Sequence, residues 1–132
     1  MKRGLFSGLF ILSVLFHLTS CIRYDGHWDD NIKLSVRSAE FDARGDSVVI
    51  TTKGSWWWIS DVSVDNNNFY GFRGVNQQSD SYTIKQDCFV LERRDKNTLF
   101  ITVEANPLNV QRIITVGFQA GDYFDRVTIT QK

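Results

Sequence analysis

Trp56, Trp57 and Trp58 stand on consecutive residues behind Gly54 and Ser55, and shortly afterwards the stretch 65–80 sets Phe69, Tyr70, Phe72 and Arg73 among Asn66, Asn67, Asn68, Gln77 and Gln78. Indole and phenol rings offer flat apolar faces, while amides and guanidinium groups offer directed hydrogen bonds. The combination suits a two-sided ligand. A sugar ring is one, with an apolar face of C–H groups and a rim of hydroxyls. Tyr70, Phe72, Arg73, Asn67 and Gln77 are the candidate contacts on the stretch, with at least one indole beside them. Successive side chains on a strand face opposite sides, so Trp57 must point away from Trp56 and Trp58. The competing reading makes these rings ordinary core and lid packing.

The chain is poor in groups for catalysis. A nucleophilic triad needs a histidine on the fold, and the only histidines are His17 and His27, both ahead of the first strand pattern. Glycoside hydrolysis needs two carboxyls about 5–9.5 Å apart across a cleft, and a single small domain offers little cleft for its scattered acids. No enzyme is expected, and no cofactor. An EF-hand loop starting at Asp65 would need glycine sixth and glutamate twelfth, where Tyr70 and Asn76 stand. His27 with Asp25, Asp29 and Asp30 lacks the softer ligands of a zinc site, so no metal centre is expected either. With 15 Lys and Arg against 15 Asp and Glu, the chain has no electrostatic footprint for nucleic acid.

The elements that would position such a surface follow an N-terminal export signal. Lys2 and Arg3 precede the apolar run Leu5 to Phe16, and Leu18-Thr19-Ser20-Cys21 follows. The run is shorter than the roughly 20 residues of a membrane-spanning helix and is succeeded by small residues, the pattern of a cleaved signal. Its ending resembles the bacterial lipobox, which implies lipidation of Cys21 and cleavage in front of it. Residues 1–20 are therefore read as a lipoprotein signal peptide, 21–31 as a lipidated tether and 32–132 as one domain. The expected location is the cell envelope, at the outer membrane, with the domain held there by its acyl chains. With Cys21 lipidated, Cys88 has no disulfide partner in the chain and reads as a small buried hydrophobe.

The domain reads as β throughout. Ile32 to Val36 alternates and is expected to be the first strand, with a short extended piece at Ala39 to Phe41 beside it. Arg44-Gly45-Asp46 turns the chain into the β-branched run Ser47 to Lys53, and Trp56 to Val64 follows. After the long stretch 65–80 come Tyr82 to Lys85, Phe89 to Glu92 and Thr98 to Glu104, the last with Leu99, Ile101 and Val103 on one face. Arg112 to Gln119 turns Ile114, Val116 and Phe118 inward, and Gly121-Asp122 suits a tight hairpin into Tyr123 to Gln131. About seven short strands joined by turns make an all-β, immunoglobulin-like β-sandwich.

Gly54-Ser55-Trp56, the segment Ile101 to Asn106, the strand led by Arg112 and the ending Val127 to Gln131 together resemble BACON domains. These are immunoglobulin-like sandwiches of exported Bacteroidetes proteins, named for a proposed carbohydrate-binding role. The resemblance spans about Ile32 to Gln131, with two departures: Asp65 to Lys85 looks inserted, and Cys88 stands near an expected second tryptophan. The family's strand pattern implies that Trp56 and Trp58 point inward and that Trp57 faces out, which adds Trp57 to the candidate contacts. Two partners are then in view beside the membrane: a glycan held by the aromatic and amide groups, or another envelope protein docked on an exposed strand edge.

Overall fold

The computed structural model describes residues 29–132; the signal peptide, Cys21, His27 and Trp28 lie outside the described residues. Nine strands follow in chain order: β1 (Ser38–Phe41), β2 (Asp46–Thr51), β3 (Trp58–Val64), β4 (Asn67–Phe69), β5 (Tyr82–Gln86), β6 (Phe89–Asp95), β7 (Thr98–Val103), β8 (Arg112–Ala120) and β9 (Tyr123–Gln131). No helix occurs among the described residues. One sheet has the order β1-β9-β8-β3-β4 and the other β2-β7-β6-β5. Only the β1–β9 pair is parallel.

Alternation decides which face of each sheet is buried. Ile114, Val116 and Phe118 on β8, Val127 and Ile129 on β9, and Leu99, Ile101 and Val103 on β7 all point into one shared core, as their spacing predicts. Ile50, Leu91 and Phe89 join them from the smaller sheet. Two sheets that each bury one face against the other form a β-sandwich.

Two expected elements differ. Ile32 to Val36 is not a strand: only Leu34 pairs, in an isolated bridge with Thr52. Ile32 and Leu34 are buried as alternation requires, but Lys33 takes a left-handed φ of 55°. The Asp30 carboxylate accepts the Ile32 and Lys33 N–H groups and closes this turn. The stretch 65–80, by contrast, contains a strand. Asp65 and Asn66 both adopt positive φ, 47° and 69°, the geometry of a two-residue hairpin turn, and β4 returns along β3. Beyond it the loop is pinned by Phe72, which is buried in the core.

The tryptophans differ as well. Val62 and Val64 face the core, and a regular strand traced back from them would also turn Trp58 and Trp56 inward. The register with β8 slips at this point, with Ile59 opposite Phe118 and Asp61 opposite Gly117. This β-bulge places Ser60 and Asp61 together on the outer face and reverses the phase of every residue before them. Ile59 and Trp57 go in. Trp57 is 2% exposed, which corrects the expectation that it faces outward. Gly117, across from the bulge, leaves room for the Asp61 carboxylate and the Ser60 hydroxyl, which a Cβ there would push aside.

Candidate functional site

Between β2 and β3 the segment Thr52 to Trp57 crosses from one sheet to the other, and its backbone groups must find partners outside a regular ladder. Gly54 donates its N–H to the Ile32 carbonyl at 3.0 Å. It passes so close to the Asn31 carbonyl that a Cβ would not fit. Asn97 Nδ2 donates to the carbonyls of Thr52 (3.0 Å) and Gly54 (3.1 Å). The buried Trp57 indole N–H donates to Thr52 Oγ1 at 3.0 Å, and that hydroxyl donates onward to the Gly54 carbonyl at 2.6 Å.

Arg93 on β6 completes the anchorage. Only 3% exposed, its guanidinium donates to the carbonyls of Trp57 (2.7 Å), Ser55 (3.0 Å), Lys96 (3.0 Å) and Asp95 (3.3 Å). The same group lies 3.8 Å from the centroid of the Trp57 ring, so it is neutralised by carbonyl dipoles and a π face rather than by a carboxylate. Tyr82, 6.0 Å from this guanidinium, has its phenol pushed above the usual value by burial. Trp57 packs below against Phe118, with ring centroids 5.2 Å apart.

With Trp57 locked inside, its neighbours are turned out. Trp56 is 67% exposed and Trp58 half-buried. Their rings meet edge to face, 5.4 Å apart at 75°. Trp56 rests beside the β8–β9 turn at Gly121. The pair forms one side of an open cleft of about 440 Å³, lined also by Ser55, Gln77, Gln78 and Asp80, with Trp57 and Arg93 beneath. Crossed indole faces opposite two amides and a carboxylate can stack an apolar ring face and hydrogen-bond its edge.

Of the residues expected at the site, Gln77 and Trp57 line this cleft, Trp57 as buried floor rather than as an exposed platform. Tyr70, Arg73 and Asn67 are exposed but are not among the lining residues. Phe72 is buried and cannot present its ring to a ligand. The loop after β4 therefore frames the tryptophans through Gln77, Gln78 and Asp80 and does not cover them. The contacts that sequence reasoning missed are Trp56, Trp58, Gln78, Asp80 and Arg93. The two indoles were misplaced by a bulge, and Arg93, although in phase with the inward Phe89 and Leu91, lay one residue beyond the expected end of its strand at Glu92.

No protein-family model matches the chain, and no curated protein matches it. Among solved structures, a protein from Bacteroides thetaiotaomicron determined by NMR is similar, with a TM-score of 0.61 and 23% identity over 83% of this chain and 92% of that one. A Bacteroides ovatus GH5 xyloglucanase, solved in complex with a XXXG heptasaccharide, matches at a TM-score of 0.46 and 25% identity, over 76% of this chain and 18% of that one. At that TM-score nothing about fold or ligand transfers. What this chain shares with the Bacteroides thetaiotaomicron protein is its fold, over most of both chains.

Proposed function

We propose that this chain is a non-catalytic glycan-binding module of the BACON type, exported and held at the outer membrane by acyl chains on Cys21. The observation that carries the binding role is the open cleft in which Trp56 and Trp58 present crossed rings opposite Gln77, Gln78 and Asp80. Two adjoining indoles rimmed by polar side chains make the kind of apolar patch that marks a ligand-binding groove, and the neighbouring amides suit hydroxyl groups. The non-catalytic reading rests on chemistry: among the described residues Asp80 is the one carboxylate lining the cleft, whereas glycoside hydrolysis uses a pair.

Titration of the full-length protein with a panel of host and dietary oligosaccharides, followed by tryptophan fluorescence, tests the reading. Saturable quenching or enhancement is expected for at least one glycan, weakened about tenfold or more by Trp56→Ala. No response to any glycan at millimolar concentration refutes it. Incorporation of labelled palmitate, lost in Cys21→Ser, tests the anchor. A second reading, a docking module for another envelope protein, is favoured by the exposed Leu108, Val110 and Ile113 near the start of β8. Stoichiometric co-purification of a partner that persists in Trp56→Ala would support that reading instead.

A further inference from the structure

The bulge that turns Trp57 inward has a second effect on the opposite side of the sheet. Ser60 and Asp61 stand side by side on the outer face, and Gly117 across from them leaves a notch. A groove of about 330 Å³ opens there, lined by Ser60, Asp61, Ser63, Thr115, Arg126 and Phe124, among others. Phe124 is 61% exposed, an aromatic ring left in water above a polar trough.

The groove is in register with the tryptophan cleft. Trp58 on β3 pairs with Gln119 on β8, and Gln119 pairs with Phe124 on β9, so the three side chains form one row across the outer face. The next row holds Asp61, Gly117 and Arg126, and the one beyond it Ser63, Thr115 and Thr128. Two strand spacings, about 9–10 Å, separate the Trp58 and Phe124 backbones. Sugar units stacked on the two rings therefore have at least one unit between them, so a disaccharide held in the Trp56–Trp58 cleft does not reach Phe124. Between the rings lie the Gln119 amide and, one row along, the hydroxyl, carboxylate and guanidinium groups of Ser60, Asp61 and Arg126. Asp61 already accepts from Ser60 at 2.7 Å, leaving its second oxygen for a ligand hydroxyl. Arg126 forms no side-chain hydrogen bond among the described residues.

We propose that the ligand is an extended oligosaccharide chain rather than a single terminal sugar, running from the Trp56–Trp58 cleft across the outer sheet face to a second stacking position on Phe124. This deepens the glycan-binding reading and depends on it. Phe124 supplies the apolar platform for the distal unit, while Asp61 and Arg126 bind hydroxyls of the units between. Asp125 also lines the groove but is paired with Arg37, which leaves Asp61 and Arg126 as its opposed charges, a balance that suits a neutral glycan.

The test is a titration of the full-length protein with di-, tetra- and hexasaccharides of β-1,4-linked glucose, xylose and mannose, by calorimetry and tryptophan fluorescence. In the wild type, affinity is expected to rise from the disaccharide to the longer chains. Phe124→Ala is expected to remove roughly two- to twelvefold of that gain, the range for one aromatic stacking contact, and to leave disaccharide affinity unchanged. Arg126→Ala is expected to act in the same direction. Both side chains are exposed, and an unchanged circular dichroism spectrum confirms that the variants fold. Affinity independent of chain length, or a Phe124→Ala variant that keeps the full gain, overturns the extended site while leaving the Trp56–Trp58 cleft as a terminal-sugar site. Failure of every one of these chains to bind overturns the extended site for neutral β-1,4 chains; the glycan reading itself falls only if the wider panel of host and dietary oligosaccharides also gives no response.

Discussion

Replacing Arg93 with alanine should do more damage than a charged side chain near the end of a strand suggests. Of the four carbonyls it serves, only that of Trp57 is bonded in a fully buried setting; those of Ser55, Lys96 and Asp95 are part-buried and can recover water. An abandoned buried acceptor costs about 1–3 kcal/mol. A desolvated cation–π contact such as the one with Trp57 contributes about 2 kcal/mol. The expected loss is therefore about 3–5 kcal/mol. At an m-value of about 1–3 kcal/mol/M, this lowers the urea midpoint by roughly 1–5 M. Arg94, the next residue, is a built-in control. It is exposed, 3.4 Å from Glu92 and stacked 3.5 Å from the Phe100 centroid, so Arg94→Ala should cost less than about 1 kcal/mol. Because Arg93 forms no ion pair among the described residues, its contribution should persist in high salt. If the Arg93→Ala midpoint falls within ~0.3 M of the wild type, the account of Arg93 as the clamp on the tryptophan segment is wrong.

The adjacent tryptophans should behave oppositely: Trp57→Ala should destabilise by about 3–5 kcal/mol through the cavity it leaves, whereas Trp56→Ala should stay within about 0.5 kcal/mol of wild type and lose ligand response. Thermal unfolding of the two variants checks this, and equal losses would contradict the assigned faces. Burial pushes the Cys88 thiol above its ordinary value, so it should react with a thiol reagent near pH 8 far more slowly in the folded protein than in denaturant. Comparable rates would show that the site opens readily. Partial burial works against the Asp30 carboxylate, but the Lys33 and Ile32 N–H groups and the Arg37 guanidinium outweigh it and hold its pKa below the ordinary value. Its contribution to docking the segment before β1 should be complete above about pH 4 and fade as pH falls through the lower, folded-state value. Protection of the Lys33 amide, taken relative to its intrinsic exchange rate, should fall in that range, and in Asp30→Asn this pH dependence of the protection should be lost.

The sandwich was legible because most strands follow a period of two without interruption. Ile114, Val116 and Phe118, or Leu99, Ile101 and Val103, read as one face in the sequence and form one face in the structure. The Gly121-Asp122 hairpin was equally local, since β8 and β9 pair directly across it. Hidden were features that depend on a partner strand. Lys33 breaks an alternating run through a turn capped by Asp30. The Asp65-Asn66 turn hides a three-residue edge strand, two of whose residues are asparagines while Phe69 packs against the core.

For the tryptophan run, the sequence alone determined that Trp57 must oppose Trp56 and Trp58, because alternation is a property of any extended chain. It also established that an aromatic and amide-rich stretch follows. Which indole is buried was decided only by tertiary structure. The one-residue bulge at Ser60 forms against Gly117, more than fifty residues later, whose missing side chain leaves room for the Ser60 and Asp61 side chains, and the inward Trp57 is held there by Arg93 from the other sheet. The physical reason is that phase along a strand is local, whereas its origin is set by contacts between residues distant in the chain.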